Sequence, residues 1–336
     1  MNASLVAAFG MALAFAMTNG LHDSADAIAT LVATRAARPA TAVRLAAAGS
    51  VIGPLVVGKA VADTVASIVT VPTHQLIFVL GAGLTGAVAW SILTWTRGYP
   101  ASSGHALLGG LVGAAVAQGG MHRVNWGGFR GLRPDGVLGT MAVLALAPLV
   151  GFAAGFVADR LARRAVRRAT DRVRGPVRAL QWLMTGALAF THGANDTQKA
   201  VGAVTVILFA GREIHTRSAP GWVVLACSVA FTAGTALGGW PVVRTIGRRI
   251  VRLRPIDSLA SQTASTAVLL AASIVGAPVS TTQVVASSVV GVGAGHGRWR
   301  HVHWPIVRTM LLAWLVTIPV TAALAAVALF PWRWFA

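Results

Sequence analysis

Ala189-Phe190-Thr191-His192-Gly193-Ala194-Asn195-Asp196-Thr197-Gln198-Lys199-Ala200 is a polar stretch set in an apolar run, with Met184 to Ala189 before it and Val201 to Ala210 after it. A run of that length crosses a bilayer. Asn195, Asp196 and Lys199 are therefore expected inside one. Ionisable groups there cost several kcal/mol unless they are paired or line a wet cavity. A related stretch, Asn19-Gly20-Leu21-His22-Asp23-Ser24-Ala25-Asp26-Ala27, lies near the N-terminus.

The composition agrees with a membrane setting. The chain is 55% hydrophobic and 11% charged, where soluble domains carry about a quarter charged residues. Several apolar runs reach the roughly 20 residues that span a bilayer. The expected class is an all-α polytopic membrane protein in the cell membrane; a β-barrel would show alternating strands of about ten residues. The formal charge of +19 would suggest nucleic acid in a soluble protein. Here the arginines lie mostly between apolar runs, as the positive-inside rule requires, and no aromatic-interleaved basic patch supports nucleic-acid binding. Cys227 is the only cysteine, so no intrachain disulfide forms. The first apolar run leads straight into the Asn19 stretch and reads as a retained helix rather than a cleaved signal. No Ser-His-Asp order, Walker sequence or nucleophile elbow appears, so an enzyme is not expected.

In chain order, runs cover about Leu5 to Val32, Leu45 to Val69 and Leu76 to Trp95. Tyr99-Pro100-Ala101-Ser102-Ser103-Gly104-His105 follows, with a short run to Ala117 and another from Val137 to Val157. Lys59 and Asp63 share a helix face at i, i+4, the spacing of a plain ion pair. Next comes the densest charge cluster, Arg160 to Arg178, either an amphipathic helix on the anionic inner leaflet or a solvated linker. The second half repeats the scheme: Leu180 to Ala210, Trp222 to Trp240, Leu259 to Val275, the turn Gly276-Ala277-Pro278-Val279-Ser280-Thr281-Thr282, a short run to Ala294, and a last run from Ile306 to Phe330. The expected division is a first repeat over 1–158, an Arg-rich cytoplasmic linker over 159–178 and a second repeat over 179–336.

Each half thus has five elements, expected to cross, and an odd number inverts the second half. Placing the arginine cluster inside puts Arg35, Arg97, Arg244 and Arg298 inside, both termini outside, and the Arg123 to Arg133 loop outside against the rule. Inverted repeats with broken or re-entrant helices and a midplane site are the signature of secondary transporters.

The motifs suggest the cargo. A proline followed by hydroxyl residues starts a helix well. A short helix beginning within the membrane points free N–H groups and its positive dipole end into a cavity, which is an anion site. Ser102, Ser103, Ser280, Thr281 and Thr282 add hydroxyls, and two such ends could surround a tetrahedral oxyanion. Asn19, Asp23, Asn195 and Asp196 offer hard oxygen ligands for a small cation, and a buried carboxylate could instead carry a proton. Lys199 stands where the first motif has Asp26. It reads equally as an anion ligand or as a countercharge to Asp26 or Asp196. His22 and His192 lack an HExxH or cysteine context, so no protein-held metal is expected.

These four motifs, in this order, resemble those of the inorganic phosphate transporter (PiT) family in its bacterial, low-affinity form. The resemblance covers nearly the whole chain and implies a symporter for inorganic phosphate. It implies proton or sodium as the coupling cation, a divalent metal–phosphate complex as a possible cargo, and a homodimer. It places Asn19, Asp23, Asn195 and Asp196 in the ion and substrate motifs and Ser102, Ser103, Ser280, Thr281 and Thr282 in the phosphate-binding turns. Asp26 and Lys199 join the coupling group. Two positions depart from the family pattern: Asp26, where asparagine is usual, and Gln283, where histidine is common. Alternatives are a permease for another tetrahedral oxyanion such as sulfate, and an intramembrane enzyme acting on a lipid phosphate.

Overall fold

The computed structural model describes residues 3–168, 173–216, 218–295, 297 and 299–334. The described residues are almost entirely helical. The first half carries α1 (Ala3–Ala33), α2 (Pro39–Val56), α3 (Ala60–Ala66), α4 (Thr73–Thr96), α5 (Ser103–Gly119) and α6 (Gly136–Ala165). The second carries α7 (Arg174–Ala210), α8 (Gly221–Leu237), α9 (Trp240–Arg244), α10 (Pro255–Val275), α11 (Thr281–Gly295) and α12 (Trp304–Trp334). Six of these are long and apolar enough to cross a bilayer, and α8 passes the same test together with the helical stretch Trp240–Gly247, the two bent by 58°. The chain is a multi-pass membrane protein.

The direction of the helices follows from their closest approaches. Gly49 of α2 faces Gly186 and Ala189 of α7, and Gly53 faces Phe190 and Ala194, so α2 and α7 run parallel. Phe9 of α1 packs on Trp222, and Gly20 meets Phe231 and Thr235, so α1 and α8 run parallel too. Five residues separate α1 from α2 and turn the chain back, which sets α7 antiparallel to α1. The repeats are inverted.

They are also interleaved. The motif helix of each half packs on the second helix of the other, and α5 packs along α12 as α11 does along α6. The two halves of the sequence are therefore not two separate bodies. Two close approaches make this possible. At Gly20 an added Cβ would collide with the Phe231 backbone, and at Gly193 one would stand 2.5 Å from the Ser50 carbonyl oxygen.

The duplication reaches single contacts. Thr64 on α3 donates to the Gly276 carbonyl at 2.8 Å, and Thr245, just past α9, donates to the Gly98 carbonyl at 3.0 Å. Val61 N–H is held by Gln198 Oε1 at 3.0 Å, and Gly239 N–H by Ser24 Oγ at 2.7 Å. So α3 closes on one motif helix and α9 on the other. Both motif helices end with an arginine in the left-handed region, Arg35 (φ 57°) and Arg212 (φ 59°). Glycine usually takes that position, but a cation there also meets the negative helix end.

Three expectations are corrected. The third and fourth runs of each half do not cross separately. His22, within α1, lies 3.4 Å from Thr94 and 3.2 Å from the Tyr99 carbonyl, so the chain turns back beside the motif and α4–α5 is a re-entrant hairpin. The turn between α10 and α11 meets α7 in the same way through Asn195. Lys59 does not pair with Asp63; its ammonium reaches the Ala219 carbonyl. Over the described residues the arginine cluster, expected as either a surface helix or a solvated linker, is divided between two long helices: Arg160, Arg163 and Arg164 lie on the last turns of α6, and Arg174 and Arg178 on the first turns of α7. Within that stretch, 169–172 lie outside the described residues, as does Arg298.

Two apolar cores result. One joins the N-terminal half of α1 to α4, α5, α8 and the C-terminal half of α7. The other joins the C-terminal half of α1 to α2, α10 and α11. The polar motifs lie between them.

Candidate functional site

The site forms where α1 and α7 cross and the short helices α5 and α11 begin. Each short helix starts as its sequence suggests. Ser102 caps α5, its Oγ accepting from His105 N–H at 3.2 Å, and Ser280 Oγ accepts from Gln283 N–H at 3.3 Å at the start of α11. Two positive helix ends thus open inside the protein.

The next hydroxyl of each turn finds a motif carboxylate. Ser103 Oγ donates to Asp23 Oδ2 at 2.9 Å, and Thr281 Oγ1 donates to Asp196 Oδ2. The third position breaks the symmetry. Thr282 crosses to the first motif, with Oγ1 3.0 Å from Asp23 Oδ1 and 2.9 Å from Asp26 Oδ2. Its counterpart is Gly104, where an added Cβ would lie 3.7 Å from the Lys199 ammonium. Asp23 therefore collects one hydroxyl from each short helix.

Its place in the sequence leaves Lys199 equally a countercharge to Asp26 or to Asp196, or an anion ligand. Its ammonium pairs with Asp196 and donates to the Val279 carbonyl at 2.8 Å. Among the described residues no ion pair joins it to Asp26, and Asp26 Oδ1 has no hydrogen-bond partner. Asp196 also lies 3.0 Å from His192 Nε2. All of these side chains are buried, Lys199 among the largest. Burying a lone charge is costly, and an ion pair with further hydrogen bonds offsets that cost.

The two asparagines do different jobs. Asn195 Nδ2 donates to the Ala277 carbonyl at 3.0 Å and Ser273 Oγ at 3.3 Å. His22 makes the equivalent contacts in the first half, to the Tyr99 carbonyl and Thr94. Counting from Gly20 and Gly193, His22 corresponds to Asn195 and Asn19 to His192. His22 and Asn195 thus tie each motif helix to its turn. Asn19 reaches the Asp196 carbonyl at 3.5 Å. The Oδ1 atoms of Asn19 and Asn195 are buried without hydrogen-bond partners.

Of the eleven residues expected to bind or couple the anion, Asn19, Asp23, Asp26, Ser103, Asp196, Lys199, Thr281 and Thr282 meet through the two motif helices, whereas Ser102 and Ser280 cap their own helices and Asn195 holds the α10–α11 turn. Sequence reasoning undervalued His192. Asp23, His192 and Asp196 each offer a ligand atom, all within 4.8 Å of one another, a set that could hold a metal ion. The i, i+4 spacing of His192 and Asp196 was the available signal; the third member comes from the other half.

Comparison with known proteins gives the family. The profile of the "Phosphate transporter family" matches residues 19–178 and 162–325. A "Probable low-affinity inorganic phosphate transporter" of Bacillus subtilis (strain 168) is 34% identical over 325 residues, covering 95% of this chain and 94% of that protein. One of the same description from Rhizobium meliloti (strain 1021) is 37% identical over 334 residues, covering 97% and 96%. A solved structure, "The sodium-dependent phosphate transporter", superposes with a TM-score of 0.86 at 22% identity, covering 98% of this chain and 99% of that one, which shows a shared fold. The chain belongs to the phosphate transporter family.

Proposed function

We propose that this member of the phosphate transporter family is a symporter that moves inorganic phosphate across the cell membrane together with a cation. The observation that carries the reading is the convergence of Ser103 and Thr282, from two opposed helix starts, on Asp23. A tetrahedral oxyanion needs several donors from different directions, and two helix ends supply them.

The same contacts supply a coupling logic. The hydroxyls of Ser103, Thr281 and Thr282 all face carboxylates. A hydroxyl has one hydrogen to donate. Ser103 and Thr282 turn to an anion only when Asp23 and Asp26 release them, which a proton or a metal cation on that pair brings about. Anion binding then depends on cation binding. At Thr282 the count is specific. One hydroxyl lies between Asp23 and Asp26 but can donate to only one of them, so the other contact needs a hydrogen from a carboxyl group. We assign that proton to Asp26, whose second oxygen has no partner. Asp196 already has the Lys199 ammonium as its partner, so we place the coupling cation at the Asp23–Asp26 pair.

The test is uptake of labelled phosphate into proteoliposomes, driven in turn by a pH gradient and by a sodium gradient. Uptake under either supports symport and identifies the cation. Unchanged uptake with Asp196→Asn and with Asp26→Asn would overturn the mechanism. Excess sulfate in the same assay distinguishes a broader oxyanion permease. A metal–phosphate complex is a second form of the cargo, favoured by the Asp23–His192–Asp196 trio; uptake that requires a divalent cation would select it. The working unit is proposed to be a homodimer, checked by mass measurement in lipid nanodiscs.

A further inference from the structure

A ladder of buried polar side chains leaves the central site toward one end of the molecule. It begins at Thr30, one turn beyond Asp26. Gln181 Nε2 donates to Thr34 Oγ1 at 3.1 Å, and Gln262 Nε2 donates to Thr185 Oγ1 at 2.7 Å. Thr30 Oγ1, Gln181 Oε1 and Gln262 Oε1 are buried without partners. Unpaired buried polar atoms are costly, and three along one path between α1, α7 and α10 call for a function.

The duplication shows that the fold does not need them. The offset that carries Asp23 onto Asp196 carries Ala8 and Ala12 onto Gln181 and Thr185, and Thr30 and Thr34 onto Ala203 and Ile207. The offset that carries Ser102 onto Ser280 carries Leu84 onto Gln262. All five counterparts are buried in the apolar core at the opposite end. The same backbone is sealed with hydrocarbon at one end and wired with hydroxyls and amides at the other.

The ladder opens into a cavity of about 570 Å³. Arg35, Arg174, Arg178 and Arg254 stand in its wall, with Thr34 and the buried Gln181 at its inner side. The first residues of α7 and α10, Arg174 and Pro255, also line it. Among the described residues no acidic side chain lines it. Planar guanidinium groups grip phosphate oxygens in pairs.

We propose that this cavity is a second binding site for a phosphate-group oxyanion, at the mouth of the path leading from the central site. Its ligand is an anion bearing tetrahedral phosphate oxygens. For the free anion, the inference rests on the reading of the chain as a phosphate symporter: the cavity then receives the cargo after it leaves Asp23 and Asp26. Val173, Val177 and Ile256 also line the wall, and a phospholipid headgroup has the same phosphate chemistry with an apolar tail to suit them.

The experiment modifies the full-length protein with phenylglyoxal, an arginine reagent, in phosphatidylcholine nanodiscs, and reads each arginine by mass spectrometry. Millimolar inorganic phosphate is expected to slow modification of Arg35, Arg178 and Arg254 several-fold and to leave the exposed Arg130 and Arg333 unchanged. Protection only when phosphatidylglycerol is added to the nanodiscs keeps the site and assigns it to a lipid headgroup. Protection by neither, or equal protection by chloride at matched ionic strength, overturns it. Phosphate uptake measured on the same preparation separates the two readings. Protection without uptake keeps the site and sinks the transport reading; uptake without protection sinks the site alone.

Discussion

Lys199 pairs with Asp196, three residues back on the same helix, and both side chains are shut off from solvent. Removing the ammonium alone leaves a buried carboxylate uncompensated, which costs about 3–5 kcal/mol. Lys199→Gln should therefore lower thermal stability in detergent sharply, and the double variant with Asp196→Asn should recover most of it. Because no ion pair joins Lys199 to Asp26, the losses from Lys199→Gln and Asp26→Asn should add without rescue.

Thr282 bridges Asp23 and Asp26 through one oxygen. Thr282→Val keeps the shape and removes the hydroxyl, and losing such a buried partner costs on the order of 1–3 kcal/mol. Phosphate uptake should fall about tenfold or more, tenfold being about 1.4 kcal/mol, while Thr282→Ser retains most of it. Equal uptake by the valine and serine variants would remove Thr282 from the site.

Asp26→Asn removes the group assigned to hold the proton. Concentrative uptake should be lost while phosphate–phosphate exchange across the vesicle persists, since exchange needs no net cation movement. Loss of both activities in well-folded protein would make Asp26 a substrate ligand instead.

Gly20 and Gly193 sit where α1 and α7 touch the partner helices of the opposite repeat. A methyl group at either meets backbone, which cannot swing aside, and overpacking of a tight interface costs about 1–3 kcal/mol or more. Gly20→Ala and Gly193→Ala should reduce the yield of monodisperse protein on size-exclusion chromatography. Gly10→Ala, with nothing within 4 Å, should not.

Much of this arrangement is legible in the residues themselves. Ser102 and Ser280 announce helix starts because a hydroxyl after a Pro-containing turn has a local job, and the structure puts α5 and α11 there. Asp23 and Asp196 announce a buried polar site because apolar neighbours leave a carboxylate nowhere else to go. Residue equivalence was harder to read. Asn19 and Asn195 look like a matched pair, yet the backbone register set by Gly20 and Gly193 matches Asn195 with His22. Thr282 gave no sign that it would cross to the other repeat, since its neighbour Thr281 stays within its own.

The membrane class, the duplicated order of elements and the buried polar motifs are legible in the chain alone, because hydrophobic run length, helix capping and the cost of buried charge act locally along it. Packing in three dimensions sets that Lys199 answers Asp196 rather than Asp26, that Asp23 takes hydroxyls from both short helices, and that one end of an otherwise duplicated scaffold carries buried polar side chains to an arginine-lined cavity. Those choices depend on distances of a few ångströms between residues up to 259 positions apart, set by how the interleaved helices pack.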